Sequence, residues 1–241
     1  MVAYSIESVF EAVDWATVSR RLDVDGYAVL PGLFDMQLID QARESRGNSS
    51  LSPAYVGDTD LELEQLPIFY GSLFTVMNDL GNALYRRLAP IANCWFERLG
   101  ETCLYPTNLI DDAAGNGLSK HTNASFYLSR LKTDDFIPLS QRLEANKYFP
   151  FQILVMISEP RLDFVGGELV LIEQRPRMQS RARVIAMNKG DLAIVAVSQR
   201  PVKSAKGSYR VNTRYAVSRV HQGVRLVLEL SFYESAKPSL I

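Results

Sequence analysis

Residues able to do acid–base or metal chemistry are scarce in this chain, which has two histidines, His121 and His221, and two cysteines, Cys94 and Cys103. Two thiols make neither the disulfide framework of a secreted scaffold nor a four-thiolate zinc site, so a reducing cytoplasmic setting is expected. His121 opens a His-Thr-Asn triplet, and His221 stands shortly ahead of Arg225. Each histidine is expected in a turn or at the surface. The pair Gly166 and Gly167 reads as a turn between strands rather than a phosphate cradle, because no helix of P-loop type follows it. Arg175, Arg177, Arg181 and Arg183, with Glu173 nearby, read as a solvated face rather than an RNA contact.

The elements that must position these groups change character along the chain. In the first third, Asp35 is placed to cap a helix carrying Leu38, Ile39 and Ala42, and Leu73, Met77, Leu80, Leu84 and Leu88 recur at helical spacing through a second. Between them, Asn48 to Asp60 is rich in Ser, Asn, Gly and Pro and reads as a surface loop. From Phe126 onward the pattern becomes short runs rich in Val, Ile, Leu and aromatics: Tyr148 to Ile157, Gly167 to Ile172, Asp191 to Val197, Tyr209 to Val220 and Arg225 to Tyr233. Helices followed by about eight short strands predict an α+β protein whose sheets close as a jelly roll or stay open as a sandwich. No repeat, linker or charge block divides the 241 residues, so one domain is expected over 1–241, helical over about 1–100 and β over about 126–235.

Composition limits the partners. Lys and Arg total 26 against 27 Asp and Glu, a formal net charge of -1, which predicts neither a nucleic-acid nor an anionic-membrane partner. The apolar fraction of 47% excludes intrinsic disorder. Glu7, Glu11 and Asp14 interrupt the stretch where a signal peptide would need its apolar core, and no run approaches the roughly 18 apolar residues of a membrane span. A cytoplasmic location is therefore expected.

Six segments are more particular than generic strands: RLDVDGYAVLPGLFD, PFQILVMISEP, FVGGELVLIEQRPRMQSRARV, KGDLAIVAV, KGSYRVNTRYAVSRV and GVRLVLELSFYE. In this order, from Arg21 to Glu234, they resemble a bacterial family of 2-oxoglutarate and Fe(II)-dependent oxygenases. Gly166, Gly167 and the block from Glu173 to Arg181 are the most specific parts of the match. The resemblance implies a double-stranded β-helix, a jelly roll of cupin-like form with N-terminal helices packed on the sheet. It also implies a His-X-Asp pair ahead of the strand at Tyr148, a distal His, and a late-strand Arg that grips the distal carboxylate of 2-oxoglutarate. Laid on this chain, the pattern puts Ser140, Gln141 and Arg142 at the His-X-Asp and Tyr215 at the distal His. Serine is a poor neutral ligand, arginine repels a cation, and tyrosinate requires a pKa lowered from about 10.

Arg225 matches the carboxylate-gripping arginine, whose planar fork makes paired hydrogen bonds. The expected site therefore comprises Tyr215, Arg142 and Ser140 as catalytic residues and Arg225, Arg130 and Gln152 as substrate or carboxylate binders, with no metal. Arg225 and Arg142 are expected to line one cavity, and Tyr215 to point to the same side of its strand as Val217 and Arg219. The leading reading is a metal-independent enzyme that isomerises, cyclises or eliminates from an anionic or polar small molecule, with Tyr215 as general acid. One alternative is an active Fe(II) and 2-oxoglutarate hydroxylase with unusual ligands, such as His121 or His221 at a relocated iron site, needing those two cofactors. Another is a non-catalytic partner of an intact oxygenase homologue; a homodimer is the remaining expected assembly.

Overall fold

The computed structural model describes residues 6–34, 53–56, 59–64, 72–101, 105–106, 108–109, 122–141, 148–205 and 207–234. Helix α1 spans Ile6–Glu11 and α2 spans Trp15–Asp25. The Asp14 carboxylate caps α2 by accepting the Thr17 N–H at 3.1 Å, which satisfies one of the donors a helix start leaves open. Gly26 closes the other end, its N–H bonding to the Leu22 carbonyl at 3.0 Å, and strand β1 (Tyr27–Leu30) begins at once. Helix α3 runs from Ser72 to Arg98, with Met77, Leu80, Leu84 and Leu88 buried at the expected spacing and Pro90 on its exposed side.

The β region comprises β4 (Thr122–Lys132), β5 (Ile137–Ser140), β6 (Tyr148–Met156), β7 (Phe164–Gly166), β8 (Leu169–Gln174), β9 (Arg181–Ile185), β10 (Leu192–Ala196), β11 (Gln199–Ser204), β12 (Gly207–Val217) and β13 (Val220–Glu234). These strands form two antiparallel sheets. The larger has the order β1-β10-β6-β13-β4, with β7 paired to the start of β13, and the smaller has the order β11-β12-β8-β9, with β5 paired to β12. One face of the larger sheet, including Ile153, Val155, Ile194, Leu226, Leu228 and Phe232, packs on the helices around Trp95, Tyr85 and Leu88. The other face, including Leu154, Met156, Val195, Leu131 and Val227, meets Leu171, Tyr215 and Val217 of the smaller sheet. Period-two alternation explains how β6 and β13 supply both layers: each is buried on both faces, so each reads as a continuous apolar run.

One irregularity in β13 matters for the site. Val220 and Val227 both enter the layer between the sheets although an odd number of steps separates them. The pairing with β7 slips between Val220 and Gln222, and Gly223 sits there at φ 84° with the Asp163 carbonyl 2.1 Å from where a Cβ would lie. This bulge inserts one residue and flips the alternation, which only glycine permits at so close a backbone approach.

Several sequence expectations need correction. Part of the stretch read as a loop is a hairpin, β2 (Pro53–Val56) with β3 (Thr59–Glu64), and β1 adds an edge strand within the nominally helical third. Strands β4, β5, β7, β9 and β11 lie outside the five runs that the sequence pattern picks out. Arg219 lies beyond the end of β12, exposed and 3.3 Å from Asp134, so it does not share the buried side of Tyr215 and Val217. The helix expected after Asp35 lies outside the described residues, as do His121, Arg142 and Cys103.

Candidate functional site

Among the described residues two arginines are fully buried, and they differ in their partners. Arg200 on β11 donates to the carbonyls of Asp23 at 2.6 Å and Val24 at 3.2 Å, at the C-terminal end of α2, and to the Glu173 carboxylate on β8. Arg175 donates to the same carboxylate. Burial pushes the Glu173 carboxyl up, but hydrogen bonds from Arg175 and Arg200 outweigh it and hold the group below the ordinary glutamate value. Arg200 is thus a tie between helix and sheet.

Arg225 has no such account. It sits opposite Leu131 on β4 and two residues before Val227, both in the layer between the sheets, and is 1% exposed. Among the described residues its Nε, Nη1 and Nη2 have no hydrogen-bond acceptor. Burial pulls its pKa down from the ordinary arginine value to about 10, opposed by the charges of Glu229 and Glu168. An ionised guanidinium with all nitrogens dry and unpaired is costly unless an anion meets it. Room for its stem comes from Gly167, at φ 63° between β7 and β8, where an added Cβ would stand 2.8 Å from Arg225 Cδ. The glycine pair of the sequence motif is therefore the turn expected of it, and its second member leaves space for the arginine.

Tyr215 and Ser140 are brought directly opposite one another by the pairing of β12 with β5. Tyr215 is 4% exposed and belongs to the core between the sheets, and the Ser140 hydroxyl is buried with no hydrogen-bond partner among the described residues. Gln141 turns aside, 3.5 Å from both the Ser198 carbonyl and Asn212 Oδ1. Gln152 lies in the same layer on β6, donating to Glu229 Oε2 at 3.1 Å and accepting from the Ser231 hydroxyl at 3.1 Å. Arg130 is separated from the others. It pairs with Leu226 in the β4–β13 register, beside Leu128, on the helix-facing side of the sheet. His221 is exposed and packs beside Gly166.

Sequence reasoning missed Glu229 and Ser231. The signal was the alternation itself: Arg225, Val227, Glu229 and Ser231 share one face of β13, while Leu226, Leu228, Leu230 and Phe232 share the other. A stripe of polar residues between two sheets requires partners or a ligand.

The unpaired nitrogens of Arg225 have the donor chemistry that a carboxylate would need. The described residues do not make an ordinary Fe(II) set: Ser140 and Tyr215 offer two hydroxyls, and no group of three or more His, Cys, Asp or Glu among the described residues could hold a metal ion.

Two antiparallel sheets with helices on one outer face are the double-stranded β-helix of the 2-oxoglutarate and Fe(II) oxygenases. Solved structures of that class superpose on this chain: an oxidoreductase of the 2OG-Fe(II) oxygenase family from Burkholderia pseudomallei (TM-score 0.56, 16% identity, 92% of each chain) and a Pseudomonas putida prolyl-4-hydroxylase (TM-score 0.58, 12% identity, 92% of this chain and 100% of the other). So does SnoN, a non-heme alpha-ketoglutarate-dependent epimerase from nogalamycin biosynthesis (TM-score 0.55, 11% identity, 94% and 87%). At these identities the likeness shows the fold. A family model described as an oxygenase catalysing oxidative methylation of damaged DNA matches residues 65–235, and the chain belongs to that family. An uncharacterized protein of Mycobacterium tuberculosis is 32% identical over 196 residues, covering 81% of this chain and 84% of its own. No helix among the described residues is long and apolar enough to cross a membrane.

Proposed function

We propose that this oxygenase-fold protein binds a small molecule by its carboxylate at Arg225 and acts on it without iron. The observation that carries the reading is the buried guanidinium with no acceptor for any of its nitrogens among the described residues, given room by Gly167. A carboxylate meeting it would satisfy two N–H groups in the planar fork geometry and offset the burial of the charge. Tyr215 supplies the proton. Its phenol enters the same layer from the facing sheet, and in a described interior without histidine it is the group suited to donate to a developing oxyanion or leaving group. Ser140 opposite it adds a hydroxyl to orient the substrate, and Gln152, held by Glu229 and Ser231, adds a fixed amide. Isomerisation, cyclisation or elimination requires only such proton movements.

A second reading, an Fe(II)-dependent oxygenase, is favoured by the family match and by the same Arg225, which suits the distal carboxylate of 2-oxoglutarate. It requires metal ligands from outside the described residues. Metal analysis with Fe(II) titration separates the two. Metal-independent action predicts no near-equimolar iron and no 2-oxoglutarate turnover, with dicarboxylates still raising the melting temperature. Equimolar Fe(II) binding with keto-acid turnover that His121→Ala abolishes would establish the second reading.

A further inference from the structure

The polar stripe of β13 carries opposite charges at two points. Arg225 and Glu229 are both buried and lie four residues apart on the face that meets the smaller sheet, and the register with β4 runs unbroken from one to the other. At about 3.3 Å per residue their backbone positions are about 13 Å apart. Burial lowers the Arg225 pKa and the charge of Glu229 offsets part of the fall, yet the two groups make no hydrogen bond, because no nitrogen of Arg225 has an acceptor among the described residues. A buried acid and base that served only to stabilise the fold would be expected to meet, since attraction weakens with distance while each charge bears its own cost of leaving water. Here Val227 stands between them, with Met156 of β6 on one flank and Ser129 of β4 on the other.

Two further observations concern the same stretch. Ser129 is fully buried and its hydroxyl has no hydrogen-bond partner among the described residues, although it faces the layer midway between the two charges. A buried hydroxyl left in that state needs an explanation, and an apolar residue serves on the opposite flank. The Glu229 end, in turn, is held in place. Gln152 donates to its carboxylate at 3.1 Å and accepts from the Ser231 hydroxyl at 3.1 Å, which keeps the acid from swinging toward Arg225.

We propose that the interior site is built for a linear zwitterion, a carboxylic acid with a protonated amine at the far end of a short aliphatic chain, and that Glu229 selects the amine. The inference rests on the carboxylate reading of Arg225 and adds the other end of the molecule. Allowing about 3 Å for the hydrogen bond at each end leaves about 7 Å between the carboxylate and the nitrogen of the ligand, the span of a chain of about six carbons. Val227 and Met156 flank its apolar middle, and the Ser129 hydroxyl meets a polar substituent there. Succinate, held at Arg225 by one end, stops short of Glu229, whereas adipate brings a second carboxylate against it and is disfavoured by like charge.

Isothermal titration of the intact metal-free protein with 6-aminohexanoate, hexanoate and adipate tests the inference. The amino acid should bind about tenfold or more tightly than hexanoate, and adipate more weakly than either. Glu229→Gln keeps the side-chain size and an oxygen for the Gln152 amide; it should bind hexanoate at least as well as the wild type and show no preference for the amino acid. Within the wild type, affinity across γ-aminobutyrate, 6-aminohexanoate and 8-aminooctanoate should peak at the middle length, which decides the matter even if the variant does not fold. Equal binding of hexanoate and 6-aminohexanoate, adipate binding as tightly as the amino acid, a preference that survives Glu229→Gln, or no dependence on length would each overturn the inference while leaving Arg225 as a carboxylate site. Absence of binding by all of these carboxylates and by succinate would overturn both.

Discussion

Replacing Arg225 by methionine should stabilise the ligand-free protein. Methionine keeps the length of the stem that runs past Gly167 while removing the charge. The fall of the guanidinium pKa from its ordinary value to about 10 corresponds to about 3 kcal/mol of differential stability between the charged and neutral forms. That figure already includes the attraction of Glu229 and Glu168. The sign follows from the depressed pKa: the folded chain binds the proton less tightly than the unfolded one, so the penalty is in full force below about pH 10 and fades only above it. The gain should therefore be about 1–3 kcal/mol, or about 2–12 °C in melting temperature for a chain of this size, and it should not vary between pH 6 and 9. The assay is thermal unfolding of both proteins with and without a dicarboxylate. Wild type should gain about 2.7 kcal/mol at a ligand concentration near one hundred times its Kd, and the variant nothing. Arg225→Met/Glu229→Gln guards against an uncompensated Glu229 and should be at least as stable as the single variant. A loss of about 3 kcal/mol or more in both variants would refute the reasoning, because it is the response of an arginine already paired within the fold.

Arg200→Met is the opposite case and should lose about 3–5 kcal/mol in chemical denaturation, since it strips Glu173 of a buried partner and leaves the Asp23 and Val24 carbonyls unsatisfied. Because Glu173 is held below its ordinary value, its contribution is present above the unfolded glutamate pKa and lost as pH falls through the lower folded one. Wild-type melting temperature should therefore drop more steeply below about pH 4.5 than that of Glu173→Gln. Gly167→Ala should destabilise by about 1–3 kcal/mol through its positive φ and should weaken dicarboxylate binding at least tenfold by displacing Arg225, read by unfolding and titration together. Tyr215→Phe should change stability by no more than about 1.5 kcal/mol and reduce turnover at least tenfold once a substrate is in hand; full activity would make the phenol a filler of the core.

The parts of this site that the sequence made legible are those set by local pattern or by motif. Arg225 and Gly167 stood in segments resembling the family, and the strand register sets Tyr215 opposite Ser140. The bulge at Gly223 was not legible, yet it decides which face of β13 Arg225 occupies; alternation counted from Val220 alone would have turned it toward the helices. Arg130 shows the same physics in reverse, because its face follows from pairing with Leu226 and not from its closeness in sequence to other site residues. The tie between Arg200 and Glu173 joins strands on either side of β12, which no spacing rule anticipates. The hairpin of β2 and β3 was hidden by turn-forming residues that serve a tight strand connection as readily as a long loop.

Isothermal titration of 2-oxoglutarate and of succinate into metal-free wild-type protein and Arg225→Met addresses the central claim most directly. The account predicts one carboxylate ligand per chain for the wild type in the absence of iron, and none for the variant. Equal binding by the two proteins, or no binding of any dicarboxylate by the wild type, would contradict it.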